Sequence, residues 1–100
     1  MKDSEFVVQA VVYWKLKAVY PIVRGEYKIP PTPGLPGCRL DVAVFDEGHN
    51  LLFSVEVKKN PNGYATAQGN RYEKLTGKPC YYIRGMEQAE NVVSIVKERS

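Results

Sequence analysis

The chain has 100 residues, enough for one ordinary domain over residues 1–100 and too few for a second. Hydrophobic residues at 44% and charged residues at 25% are the proportions of a soluble globular chain. A formal charge of +3, from 14 basic and 11 acidic residues, is compatible with nucleic-acid binding but excludes the strong basic excess of a protein that merely coats DNA.

Cys38 and Cys80 form no C-x-x-C and stand in no Cys/His cluster, which argues against a disulfide framework and against zinc. Both read as buried small hydrophobes. Met1 to Glu5 is polar and lacks the basic-then-apolar pattern of a signal peptide. No apolar run approaches the roughly 18 residues that span a bilayer. The expectation is a cytoplasmic protein with no membrane partner.

In chain order, residues 4–18 place Phe6, Val7, Ala10, Val11, Trp14 and Ala18 at the spacing of one helix face, with Trp14 expected in the core. Asp3 or Ser4 is the expected N-cap, and Glu5 suits the first turn. Pro21 stops the helix, and Ile22 to Ile29 reads as a strand with a bulge at Gly25. Residues 30–37, with four prolines and two glycines, cannot be regular structure. Cys38–Asp46 and Leu51–Lys59 are strand-like runs joined by Glu47-Gly48-His49-Asn50, where the lone histidine reads as a turn residue. After the break at Asn60-Pro61-Asn62-Gly63, Tyr64 to Thr76 is predicted helical, with Gly77 as its C-cap. Pro79 to Arg84 is a fourth strand. Met86 to Arg99 is a last helix with Met86, Ala89, Val92, Val93 and Val96 on its apolar face. The pattern predicts an α/β domain with one mixed sheet: helix, three strands, helix, strand, helix.

The central hairpin carries the chemistry. A two-residue turn at Gly48-His49 sets Leu40 opposite Val57, Val42 opposite Val55 and Val44 opposite Phe53, which makes one face wholly apolar. The other face then pairs Phe45 with Leu52, Ala43 with Ser54, and Asp41 with Glu56. Directly opposed residues have Cβ atoms roughly 4.5–5.5 Å apart, and like charges there are destabilising. The pair therefore needs a compensating cation. Lys58 emerges on the same face by strand alternation. A hard divalent ion, Mg²⁺ or Mn²⁺, suits two carboxylates. The competing reading is a solvated sheet face, against which stand the apolar Ala43, Phe45 and Leu52 on that face.

Asp41, then fourteen residues, then Glu56-Val57-Lys58 on the second and third strands resembles the PD-(D/E)XK nuclease superfamily. Gln68-Gly69-Asn70-Arg71-Tyr72 in the following helix is similar to the Q-x-x-x-Y motif of its RecB-like branch. Leu40 stands where the nominal motif has a proline that does no chemistry. The resemblance covers residues 4–84 and implies a restriction-endonuclease-like core. It further implies that Asp41, Glu56 and the Val57 carbonyl hold the metal, and that Lys58 orients or deprotonates the attacking water or stabilises phosphate charge. Gln68 and Tyr72, four apart on one helix face, would look toward the active site and the DNA, and Glu5 would join the site. Gln68 and Tyr72 are equally an ordinary amide and ring, and Glu5 is as well explained by the helix dipole. Glu26 on the first strand is a weaker candidate.

Lys59, Arg39, Lys74 and Lys78 flank the site in sequence as phosphate contacts, or form a solvated face. The expected activity is metal-dependent phosphodiester hydrolysis, with DNA ahead of RNA as substrate. The alternative is a non-catalytic nucleic-acid- or protein-binding module on the same fold. A chain with so little beyond the core suggests a homodimer.

Overall fold

The computed structural model describes residues 5–34, 36–58 and 72–99. Its strands, β1 (Ile22–Ile29), β2 (Cys38–Phe45), β3 (Leu51–Lys58) and β4 (Cys80–Arg84), form one sheet in the order β1-β2-β3-β4. The first two pairings are antiparallel and β3–β4 is parallel, so the sheet is mixed, as the element order predicts. Helices α1 (Glu5–Lys17), α3 (Gly85–Glu90) and α4 (Val92–Arg99) share a hydrophobic cluster with Val42, Val44, Val55 and Val57 on one face. Residues 72–76 form the described part of a further helix, α2, whose Tyr72 packs with Leu40, Ala43, Phe45 and Cys80 in a second cluster. Among the described residues no helix is long and apolar enough to cross a membrane.

Helix α1 has Glu5 in its first turn and Lys15 and Lys17 in its last, which complements the helix dipole at both ends. It buries Val8, Val12 and Leu16, spaced by one turn each. Removing such aliphatic side chains from water stabilises the fold by about 1.5–3 kcal/mol apiece. This corrects the predicted face. Phe6 is 72% and Trp14 66% exposed, so Trp14 is not in the core. The helix is apolar nearly all round, and periodicity alone cannot choose between two apolar stripes.

The β2–β3 hairpin differs from expectation at its turn. Asp46 N donates to Asn50 O at 3.0 Å and Phe45 pairs with Leu51, which leaves a three-residue loop at 47–49 with His49 at φ 63. Three-residue hairpin loops of this kind place a left-handed residue third. The register then shifts between Val44 and Phe45, where Leu52 is the extra residue. The bulge compensates the turn. Val42–Val55, Ala43–Ser54 and Val44–Phe53 consequently pair as predicted, whereas Phe45–Leu52 does not.

No register shift occurs at Gly25: Gly25 pairs with Val42 and Tyr27 with Leu40. The irregular residue is Glu26, at φ 51, opposite Asp41 in a gap of the ladder. Beyond that gap Leu40 joins Ala43 and Phe45 rather than Val42 and Val44, which corrects its predicted side. The last helix is also broken. Asn91 Nδ2 donates to Glu87 O at 2.9 Å and Asn91 N to Gln88 O at 3.1 Å, so the predicted single helix ends at Glu90 and restarts at Val92. An asparagine inside a helix competes for backbone groups in this way. Gly77, at φ 70, donates to Glu73 O at 2.8 Å as the expected C-cap of α2.

Candidate metal centre

Asp41 stands where the sheet opens. Its Oδ2 accepts the Val57 N–H at 2.8 Å, so a side chain occupies the place of a backbone partner at that end of the hairpin. Its own carbonyl accepts from Gln9 Nε2 on α1 at 3.2 Å. The N-terminal half of α1 is thereby tied to the strand that carries the carboxylate. Glu5, one turn earlier, adds its negative charge to the environment of both Asp41 and Glu56.

Glu56 is only 5% exposed, although the residues around it are valines and a serine. Burial, followed by the negative charge of Asp41, pushes its carboxyl up to about 8. Burial also raises Asp41, against the Val57 N–H that stabilises its charged form. Each carboxyl perturbs the other, which places the two side chains close together. Both shifts run the same way, so without a cation the pair retains a proton to higher pH than isolated carboxyls would. Lys58 Nζ lies 3.7 Å from Glu56 Oε1. Glu56 Oε2 is fully buried, with no hydrogen-bond partner among the described residues. A buried, unpartnered acceptor is costly. A cation beside it would satisfy the oxygen and remove the repulsion together.

Asp41, Glu56, Lys58, the Val57 backbone and the charge of Glu5 are thus brought to one place. Among the described residues no group of three or more His, Cys, Asp and Glu side chains is arranged to hold a metal ion, so the described protein ligands are a pair of carboxylates and the backbone. Tyr72 is 5% exposed in the second core cluster, where its ring serves packing. Gln68 and Lys59 lie outside the described residues. Glu26 is exposed on β1 and His49 is in the turn. Gln9 was not among the sequence candidates. Its signal was its spacing of four from Glu5, which puts both on one side of α1.

Ser54 and Cys80 share the Glu56 face. Ser54 faces Cys80 across the β3–β4 ladder, and burial pushes the Cys80 thiol up to about 11, well away from a reactive thiolate. Among the described residues the two cysteines form no disulfide; Cys80 is buried and Cys38 half-buried.

The chain matches no protein-family model, no curated protein and no solved structure. Its function is argued from the site alone.

Proposed function

We propose that this chain is a divalent-metal-dependent nuclease, built on a restriction-endonuclease-like core, that hydrolyses phosphodiester bonds in DNA. The observation that carries the reading is the buried Glu56 carboxyl set against Asp41, with an oxygen unpartnered among the described residues and Lys58 alongside. Two acids forced together in a partly dry site at the open end of a sheet are an expensive arrangement, and perturbed carboxyls of this kind gather at functional sites. The element order, with the carboxylates on the second and third strands, supports the same core.

Asp41 and Glu56, both ionised, would hold Mg²⁺ or Mn²⁺ with help from the Val57 carbonyl. The ion supplies Lewis acidity toward the phosphoryl group and a more acidic water. For this, the pair must give up its proton, so ion binding and proton release are linked. Asp41 is kept in place from two sides, by the Val57 N–H on its carboxylate and by Gln9 on its carbonyl. Lys58 supplies a positive charge at the edge of the pair, placed to orient water or to stabilise charge developing on the phosphate. Glu5 tunes the site through its charge. Gln68 and Lys59 belong to the proposal as nucleic-acid contacts, and Tyr72 as the packing anchor of its helix.

Purified protein with Mg²⁺ or Mn²⁺ should cut plasmid or linear DNA, and Asp41→Ala and Lys58→Ala should each abolish cutting. Cutting that survives both substitutions would sink the assignment. RNA offered in parallel decides the substrate. Binding of nucleic acid without any cutting, in a protein that takes up no Mn²⁺, would instead identify a non-catalytic module on the same fold. A homodimer is proposed only on the small size of the domain, and a monomeric mass in light scattering would remove it.

A further inference from the structure

Lys28 on β1 and Arg39 on β2 are directly opposed in the ladder. Both are exposed, and among the described residues neither forms an ion pair. Like charges in direct cross-strand opposition destabilise a sheet. Two cations without an ion-pair partner among the described residues, at such a position, point to an anion supplied from outside them. Their surroundings are built rather than loose. Lys28, Arg39, Pro30, Pro31 and Gly37 line a cleft of about 710 Å³ at this end of the ribbon. The returning loop is seated so closely that a Cβ on Gly37 would lie 2.7 Å from Ile29 O and 3.0 Å from Pro31 N. Prolines on one side and this close approach on the other hold the cleft in shape without any bound partner.

The position matters as much as the charge. Arg39 is two residues from Asp41, roughly 7 Å along an extended strand. The cleft therefore lies within two residues of Asp41 along β2, with Ile29, Cys38 and Leu40 packed on the reverse side of the two strands. We propose that Lys28 and Arg39 form a phosphodiester clamp that holds the nucleic-acid backbone beside the Asp41–Glu56 site. The clamp rests on the nuclease reading and adds to it the residues that position the strand. Arginine and lysine divide the task by their chemistry: the planar fork of Arg39 can grip two phosphate oxygens, and Lys28 adds a mobile point charge. Such contacts hold the backbone without reading sequence. Neither residue touches the reacting atoms; both are positioning residues.

The test is binding of a labelled duplex of mixed sequence, in EDTA so that nothing is cut, followed across a series of salt concentrations. For the double variant Lys28→Gln with Arg39→Gln the clamp predicts weaker binding at every salt. The slope of log affinity on log salt should be shallower by nearly two, at about 0.9 per phosphate lost. Lys28→Glu, which changes the charge by the same amount, should also bind more weakly than the wild type, yet melt at a higher temperature, because it places an acid opposite Arg39. That second readout shows that the loss is not unfolding. An unchanged slope in the double variant, with the wild type binding normally, overturns the clamp and leaves the nuclease reading standing. A wild type that binds no duplex at any salt, or binds anionic phosphatidylserine vesicles in its place, overturns both.

Discussion

Two aspartates bracket the C-terminal half of β2, Asp41 within the strand and Asp46 just past its end, and the chain treats them in opposite ways. At the turn, the Asp46 carboxylate accepts the Gly48 N–H at 2.8 Å, the Asn50 N–H at 3.0 Å and the Asn50 side chain at 3.3 Å. These donors, led by the Asn50 backbone, hold it below the usual carboxylate range. At the open end, Asp41 accepts one backbone N–H and is set against a second, buried carboxyl, and both acids are raised. Asp46 is a carboxylate the fold satisfies. Asp41 and Glu56 are carboxylates the fold leaves wanting a cation. The contrast separates an aspartate that shapes a turn from a pair proposed to hold a cation, with the two aspartates only five residues apart.

The sharpest way to break the contrast is to remove each aspartate in turn. Asp41→Ala should lower the rate of metal-dependent DNA cleavage by on the order of a thousandfold or more, as expected when charge stabilisation at a reacting phosphoryl group is lost. Asp46→Ala should leave the rate within about twofold of wild type once the fraction folded is allowed for. A similar fall for both in a plasmid-nicking assay would dissolve the distinction.

Substitution of Glu56 by glutamine separates stability from function. Glu56→Gln keeps the shape and removes the charge, so it should abolish the rise in melting temperature that Mn²⁺ produces. The metal-free variant should also be more stable than wild type at alkaline pH. Thermal unfolding with and without Mn²⁺ reads both effects. A variant that Mn²⁺ still stabilises to the wild-type extent would remove Glu56 from the site.

The pH profile should run in opposite directions for the two kinds of acid. Glu56 is about 8 in the fold against 4.5 in an unfolded chain. Between those values the folded state holds a proton that the unfolded state has lost, so stability falls as pH rises. Its contribution is whole below about pH 4.5 and gone once pH passes about 8. Asp41, also raised, adds in the same direction at the acid end of this window. Asp46 is lowered, so its contribution is present above its unfolded value and lost as pH falls through its folded one. Denaturant melts of metal-free wild type and Glu56→Gln across pH should therefore converge toward acid and separate toward alkali. Parallel curves would show that Glu56 does not hold its proton.

The smallest effect is expected at the turn itself. Asp46→Ala removes the acceptor for three donors and should lower the melting temperature modestly, because all of them are solvent-accessible and water replaces the carboxylate. An unchanged melting temperature would mean that the loop residues 47–49 hold the turn unaided.

The difference between these two aspartates also explains what could be read from sequence. The neighbourhood of Asp41 and Glu56 was legible because period-two alternation makes one hairpin register far better than its neighbours, although the ladder itself stops at Val42–Val55 and does not pair the two acids. That register was reached through a turn of the wrong length. The bulge at Leu52 cancels the error, and alternation gave no hint of it because Leu51 and Leu52 are equally apolar. The site-bearing half of α1 was harder. With apolar residues on most of its circumference, the choice of buried stripe is made by the sheet beneath it, and with that choice goes the direction of Gln9. Likewise the left-handed Glu26 and the change of side at Leu40 arise from strand pairing rather than from local propensity. The opposed cations Lys28 and Arg39 needed the β1–β2 register, which eight intervening loop residues, 30–37, leave undetermined in the sequence.

The central claim is that Asp41 and Glu56 together hold a divalent cation, and calorimetric titration of the purified protein with Mn²⁺ at mildly alkaline pH tests it most directly. Wild type should bind Mn²⁺ stoichiometrically with release of a proton, seen as a heat that varies with the ionisation enthalpy of the buffer, and both Asp41→Ala and Glu56→Gln should bind none. Equal binding by wild type and both variants, or no binding by wild type, would contradict it.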